Sequence, residues 1–322
     1  MIGHELERTV ADNYRRFAVH EAEGRSPLYQ ELTLGVADDH EVLTLLERLP
    51  PGKRQPNLLL ATVRHLAGVP AGYPAFRDVV LGRRDEVTAT MLARRTQTNE
   101  PARCATLLPA LPSGPLALLE VGASAGLCLY PDRYGYDFRW PGGGRRLGGE
   151  PVLTCDVGGP APVPTATPDV VWRGGIDLDP LDVRDPEDVD WLRCLLWPGE
   201  DGREERLDAA VAVARADPPR IVRGDLVDDL PALAAQAPAD ATLVVFHSAV
   251  LAYVASGRRA AFAELVADLG VVRLANEATS VYDDLPDLPD PPPVPSPSLL
   301  VRDGHQPLAW VDGHGTWLHW LA

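Results

Sequence analysis

The sequence predicts an α/β protein in which a helical amino-terminal domain over residues 1–112 precedes a doubly wound, mostly parallel sheet over residues 113–322. Apolar residues of the first part recur at spacings of three and four, the pattern of amphipathic helices. Short apolar runs then alternate with helical stretches, which is typical of parallel strands joined by crossover helices. The first of these runs ends in a glycine-rich turn, a common ligand-binding element of such sheets.

The first part divides into helical segments that proline and glycine separate, at SPLY, PPGKRQP and VPAGYP. Strand-like alternation of apolar and polar residues is absent there, so we predict a helical cap or substrate domain. The segments read DNYRRFAVHEAE, DHEVLTLLERL, QPNLLLATVRHLAG and DEVTATMLARRTQTNEPARCATLLPAL.

Five apolar runs in the second part predict buried parallel strands. Residues 136–157 hold two strand-like pieces around a glycine turn and predict an inserted hairpin, and the proline-rich residues 286–297 predict a connector. The final runs SLLVRDG and PLAWVDGHGTWLHWLA predict an antiparallel pair that closes the sheet edge. The five parallel runs are PLALLEV, DVVWRGGIDLD, RIVRGD, ATLVVFHSAV and VVRLANEA.

The composition, with 45% hydrophobic and 24% charged residues, is that of a soluble globular protein. No run approaches the about 18 apolar residues of a membrane helix, and the start of the chain lacks an apolar signal core. We therefore expect a cytoplasmic protein without a membrane partner. The formal charge of -16 repels phosphate backbones and disfavours nucleic acid as a partner. The sequence does not indicate an oligomeric state.

The four cysteines, Cys104, Cys128, Cys155 and Cys194, lie far apart in the sequence. No C-x-x-C pair occurs, and no histidine stands at ligand spacing from a cysteine. We expect buried, reduced thiols, and the spacing does not indicate a metal site.

The turn after the first strand carries the clearest candidate site. Glu120 is followed by Gly122, Ser124 and Gly126 in the segment EVGASAG. Glycines let the backbone bend sharply and approach a ligand, while amides at the amino end of a following helix point into the same space. We therefore expect free main-chain amides beside the Glu120 carboxylate.

The ordered runs resemble those of the class I S-adenosylmethionine-dependent methyltransferases over about residues 114–322. LLEVGASAGL is similar to their first motif, with Ser124 in place of the middle glycine. The resemblance implies a Rossmann-like sheet with an antiparallel last strand, S-adenosylmethionine as cofactor and a small polar molecule as acceptor. It implies that Asp177 or Asp179 binds the ribose, Asp225 lies by the adenine and the turn holds the methionine part. His247, in VVFHSAVLAYV, becomes the candidate base.

The whole chain also resembles an uncharacterised actinobacterial family with a domain of unknown function. The shared segments are RTQTNE, LLEVGASAGL, DLDPLDV and VVFHSAVLAYV. The resemblance implies no established activity, but it suggests that RTQTNE belongs to the site. Asn99 of this segment is therefore a second catalytic candidate.

Two other functions fit the same residues. Gly122 to Gly126 is also G-x-S-x-G, the nucleophile elbow of α/β-hydrolases, in which Ser124 would attack an acyl group. A non-catalytic ligand-binding protein that keeps the fold is the other alternative. The hydrolase alternative takes Asp225 or Asp240 as the orienting acid and His247, His305 or His314 as the base.

Overall fold

A computed structural model describes residues 9–200, 202–282, 285, 288, 290–294 and 296–321. These residues form eleven α-helices and one eleven-stranded sheet in which most neighbouring strands are parallel, which confirms the predicted mixed α/β class. The chain divides into two compact units. Unit 1 comprises Met1–Thr98 and Pro186–Glu204, and unit 2 comprises Asn99–Asp185 and Glu205–Ala322. None of the described helices is long and apolar enough to cross a bilayer.

Unit 1 is helical, and short polar side chains start several of its helices. Ser26 accepts a hydrogen bond from the amide of Tyr29, and Asp39 accepts from the amide of Glu41, as expected of amino-terminal caps. The division into units falls at Thr98 rather than at residue 112. The helices of unit 1 are α1 (Val10–Phe17), α2 (Pro27–Asp38), α3 (His40–Glu47), α4 (Pro56–Ala67), α5 (Tyr73–Gly82), α6 (Arg84–Ala93) and α8 (Pro186–Cys194).

Unit 2 contains the sheet, whose strands lie in the order β3-β2-β4-β11-β10-β9-β8-β7-β1-β5-β6. Its strands are β1 (Pro115–Val121), β2 (Gly135–Trp140), β3 (Gly143–Leu147), β4 (Val152–Gly158), β5 (Asp169–Asp177), β6 (Arg220–Arg223), β7 (Thr242–Ser248), β8 (Val272–Ala278), β9 (Ser298–Arg302), β10 (Gln306–Val311) and β11 (Trp317–Trp320). The other helices are α7 (Arg103–Leu107), α9 (Arg203–Ala216), α10 (Leu230–Ala234) and α11 (Ser256–Asp268). The first two residues of α9 belong to unit 1.

Alternation along the parallel strands gives the sheet two faces with different neighbours. We call the face that carries Leu118, Glu120 and Phe246 the front face, and the face that carries Val121 and His247 the back face. Helix α7 covers the front face, where an apolar cavity lies between helix and sheet. Its lining residues are Cys104, Leu107, Leu111, Leu118, Cys128, Pro131, Phe246 and Leu274.

The predicted closure of the sheet by the last two runs is wrong. The runs form three antiparallel strands, β9, β10 and β11, which lie in the interior of the sheet between β8 and β4. The reason is a distant pairing, since Trp317 to His319 pair in parallel with Asp156 to Gly158. This pairing brings the predicted insertion into the main sheet, where β2 and β3 form the expected hairpin.

The proline-rich residues predicted as a connector lie partly outside the described residues. Those that the structure describes between 286 and 297 contain neither helix nor strand.

Candidate functional site

The glycine-rich turn follows β1 and bends through left-handed backbone. Gly122 has φ 69°, Ser124 has φ 51° and Gly126 has φ 72°. Glycine adopts such angles without steric cost, whereas Ser124 is strained there. The predicted helix after the turn is wrong: a single 3-10 turn, Leu127–Leu129, follows, and β2 begins soon afterwards.

The expectation that the turn leaves free main-chain amides is also wrong. The Gly122 amide donates to a carbonyl of β5 at 2.8 Å. The Ser124 amide donates to Oδ2 of Asp177 at 2.8 Å, and the Leu127 amide donates to Oδ1 of Asn99 at 2.7 Å. These turn amides are thus hydrogen-bonded within the protein, and Asn99 of RTQTNE lies at the turn and accepts one of the bonds.

Packing explains why glycine stands at position 122. A Cβ atom added to Gly122 would lie 2.4 Å from Cγ2 of Val250, far inside van der Waals contact. The space next to this glycine is therefore filled by a side chain from the segment after β7.

The three aspartates expected at a nucleotide lie at the carboxyl ends of two strands: Asp177 is the last residue of β5, Asp179 follows it, and Asp225 follows β6. Oδ1 of Asp177 accepts from the amide of Asp179 at 2.8 Å. Asp179 pairs with Arg223 at 2.6 Å, and Asp225 pairs with Arg258. Each carboxylate therefore has a partner within unit 2, and a ligand that binds one of these carboxylates would share it with that partner.

Glu120, at the end of β1, has very different surroundings. Its side chain is buried, and Oε2 has no hydrogen-bond partner in the described part of the chain. Burial raises the pKa of Glu120 well above its usual range, the Cys128 thiol adds to the rise, and Arg103 opposes it. In the protein without ligand, this carboxyl group is therefore held toward its neutral form.

Asn276, on β8, is a second buried polar side chain without a protein partner. Both Oδ1 and Nδ2 lack a hydrogen bond among the residues that the structure describes. Asn276 pairs in register with Ser248 of β7, whose carbonyl lies 3.5 Å from a guanidinium nitrogen of Arg103. The strand register places Asn276 and Glu120 on the same front face, near the carboxyl ends of their strands.

Sequence reasoning missed Asn276 and Arg103. The signal for Asn276 was present as a polar pair, Asn-Glu, at the end of the apolar run VVRLANEA. Such a pair in a buried strand has to find partners.

His247 lies on the back face and has no exposed surface. Its Nδ1 is 2.7 Å from Glu277, Nε2 accepts from Arg273 at 3.3 Å, and the ring meets Phe262 edge-on. Burial lowers the pKa of His247, although Glu277 favours the protonated ring. Because both ring nitrogens are occupied inside the core, this placement does not support the predicted role as a base.

Two of the three histidines that the hydrolase hypothesis names have partners other than Ser124. The carboxylate next to the His247 ring is that of Glu277, whereas the hydrolase hypothesis takes Asp225 or Asp240 as the acid that orients the histidine. Nδ1 of His305 lies 2.8 Å from the carbonyl of Asp303. Ser124 keeps the strained backbone of an elbow but is 4% exposed.

Comparison with known proteins gives one likeness. A family model described as an uncharacterized protein conserved in bacteria matches residues 11–320. This match confirms that an uncharacterised family covers the chain, as the resemblance implied, while the actinobacterial origin stays a prediction. No curated protein and no solved structure matches.

Proposed function

The chain belongs to the DUF2332 family of bacterial proteins, and we propose that it is a methyltransferase that uses S-adenosylmethionine and a small polar acceptor. One observation carries the proposal: near the carboxyl ends of parallel strands, Oε2 of Glu120 and both amide atoms of Asn276 are buried without a hydrogen-bond partner among the described residues. Buried polar atoms are almost always hydrogen-bonded in folded proteins. A bound polar molecule would supply the missing partners.

The strand order supports a nucleotide-type ligand. Five strands form one continuous parallel part of the sheet: in chain order they are β1, β5, β6, β7 and β8, and in the sheet they lie as β6-β5-β1-β7-β8. This is the 3-2-1-4-5 order of doubly wound sheets, which bind ligands where the order reverses beside the first strand. Glu120 is the next-to-last residue of that first strand.

The side chains suit a ligand with an ammonium group and hydroxyls. Glu120 can accept from the ammonium, and the Asn276 amide can both donate and accept. Asp177 accepts from the amides of Ser124 and Asp179, and because a carboxylate oxygen can accept from more than one donor, a ribose hydroxyl can share it. When bound, S-adenosylmethionine supplies an activated methyl group, and the contribution of the chain is alignment.

Calorimetric titration of the full chain with S-adenosylmethionine and S-adenosylhomocysteine tests the proposal. We expect one site, and we expect Glu120→Gln to weaken binding at least about 10-fold because a charge-assisted hydrogen bond is lost. The exposed residue Glu264 gives the control Glu264→Gln, which should bind as the wild type does.

Absence of heat with both molecules, at concentrations that reveal affinities of tens of micromolar, would remove the methyltransferase proposal. If wild type and Glu120→Gln bound S-adenosylmethionine equally well, the cofactor would bind at a site that does not include Glu120. A folded protein that binds neither molecule would favour the non-catalytic alternative.

A serine hydrolase is the second candidate, because Ser124 is held at φ 51° between two glycines. Strained backbone at a nucleophile is the hallmark of the elbow. A fluorophosphonate probe should then label wild type and fail to label Ser124→Ala. Unlabelled wild-type protein would rule the candidate out.

A further inference from the structure

Three side chains with different ligand atoms meet within unit 1. His65 is on α4, and Asp190 and Cys194 are on α8. Nδ1 of His65 lies 3.1 Å from Oδ2 of Asp190, and Sγ of Cys194 lies 3.9 Å from the same oxygen. The three ligand atoms all lie within 4.8 Å of one another.

Helix geometry explains how α8 presents two of the ligands. Asp190 and Cys194 are four residues apart, so their side chains lie on one face a turn apart. Trp191 orients the third ligand, because its ring meets the His65 ring edge-on at 5.9 Å. The indole is itself fixed by a hydrogen bond of 3.0 Å from Nε1 to the carbonyl of Arg95.

The separations fit the coordination shell of a small transition metal. Ligands at about 2.0–2.3 Å from a tetrahedral zinc ion stand about 3.3–3.8 Å apart, and Oδ2 of Asp190 lies 3.1 Å from Nδ1 of His65 and 3.9 Å from Sγ of Cys194. Imidazole, carboxylate and thiolate are all ligands of zinc, and calcium and magnesium prefer oxygen. The geometry points to a zinc site formed by His65, Asp190 and Cys194, with its fourth position open to water.

Access and charge are compatible with this site. The side chain of Cys194 is buried, whereas that of Asp190 is 52% exposed, so an ion can enter from solvent on the carboxylate side. Arg64 and Arg193 both lie near the Cys194 sulfur and oppose a cation. The guanidinium of Arg64 also pairs with Glu204 and donates to the carbonyl of Leu196, which reduces its effect. The net charge of -16 attracts cations to the protein as a whole.

Metal binding releases one proton. The Cys194 thiol gives its proton to solvent, and the resulting thiolate forms the bond to the metal. The affinity should therefore rise with pH. The site was hidden in the sequence because His65 and Asp190 are 125 residues apart.

Cobalt(II) substitution in the metal-free full chain tests the inference. We expect one cobalt ion per chain, with tetrahedral d–d bands and a thiolate-to-cobalt charge-transfer band that zinc displaces. Cys194→Ser should abolish the charge-transfer band. Asp190→Asn changes a half-exposed side chain and should weaken zinc binding at least about 10-fold, because loss of a residue that only supports a metal ligand already has an effect of this size.

Matched controls are Cys155→Ser, at another buried cysteine, and Asp78→Asn, at an exposed aspartate of α5. Both should keep the cobalt spectrum and the zinc affinity of the wild type. A spectrum without the charge-transfer band, or a zinc affinity that Asp190→Asn leaves unchanged, would overturn the inference and leave an ordinary hydrogen-bonded cluster. If Cys194→Ser fails to fold, Asp190→Asn decides.

Discussion

Glu120 combines complete burial with a carboxyl oxygen that has no partner among the described residues. Because burial raises its pKa, the folded protein keeps a proton that the unfolded chain releases above about pH 4.3. The free energy of unfolding should therefore fall as pH rises from that value to the raised pKa, with a slope of up to about 1.4 kcal/mol per pH unit.

Glu120→Gln should remove this part of the pH dependence and be more stable than the wild type at neutral pH by about 1–3 kcal/mol. Urea unfolding of the ligand-free protein across a pH series measures both effects. Glu264→Gln, at an exposed position, should follow the wild type. If Glu120→Gln kept the wild-type slope, another group would be responsible.

His247 is a structural residue in this account. Removing its side chain leaves Glu277 and Arg273 buried without their shared partner, so His247→Ala should lower the free energy of unfolding by about 2–5 kcal/mol. His305→Ala, at an exposed histidine, should change stability little. Denaturant unfolding distinguishes the two. A folded His247→Ala of wild-type stability would argue that the histidine is kept for chemistry instead.

At the scale of elements, the turn after β1 depends on close packing against Val250. Gly122→Ala should destabilise the protein by about 2–4 kcal/mol, through left-handed backbone and through the clash of its Cβ with Val250. Adding Val250→Ala should restore part of the loss, because it removes the clash and leaves the backbone strain.

The matched control is Gly257→Ala in the first turn of α11, where an added Cβ meets no atom within 4 Å and the backbone angle is ordinary. This variant should be neutral or slightly stabilising. Thermal unfolding compares the three variants with the wild type. Equal melting temperatures for Gly122→Ala and wild type would show that the turn opens easily, as a ligand cradle would.

Local patterns in the sequence predicted the individual strands better than they predicted the order of the strands in the sheet. The runs that became β1, β5, β6, β7 and β8 were recognisable because buried parallel strands are short and apolar. The pairing of Trp317 with Asp156 could not be foreseen, since it joins segments far apart in sequence. The 3-10 turn at Leu127 was equally hidden, because tertiary bonds to Asn99 and Asp177 override local helical spacing.

For the candidate site too, the sequence predicted the position of residues along the strands but not their contacts. The order of motifs located Glu120, Asp177 and the turn at one end of the sheet. Spacing could not show that the turn amides are already bonded, or that His247 belongs to the back face. Both facts depend on partners supplied by other strands.

For the molecule as a whole, we expect the field of the net charge of -16 to repel nucleic acid. Fluorescence anisotropy with a labelled DNA duplex at low salt should show no binding. Binding that weakens steeply with added salt would reveal a local basic surface that overrides the field, and would contradict the expected small-molecule acceptor.

The most direct measurement is a crystal structure of the protein grown with S-adenosylhomocysteine. We expect density at the carboxyl ends of β1 and β8, with ligand atoms within hydrogen-bond distance of Glu120 and Asn276. Ordered water on both side chains at saturating ligand, or ligand density at another place in the fold, would contradict it.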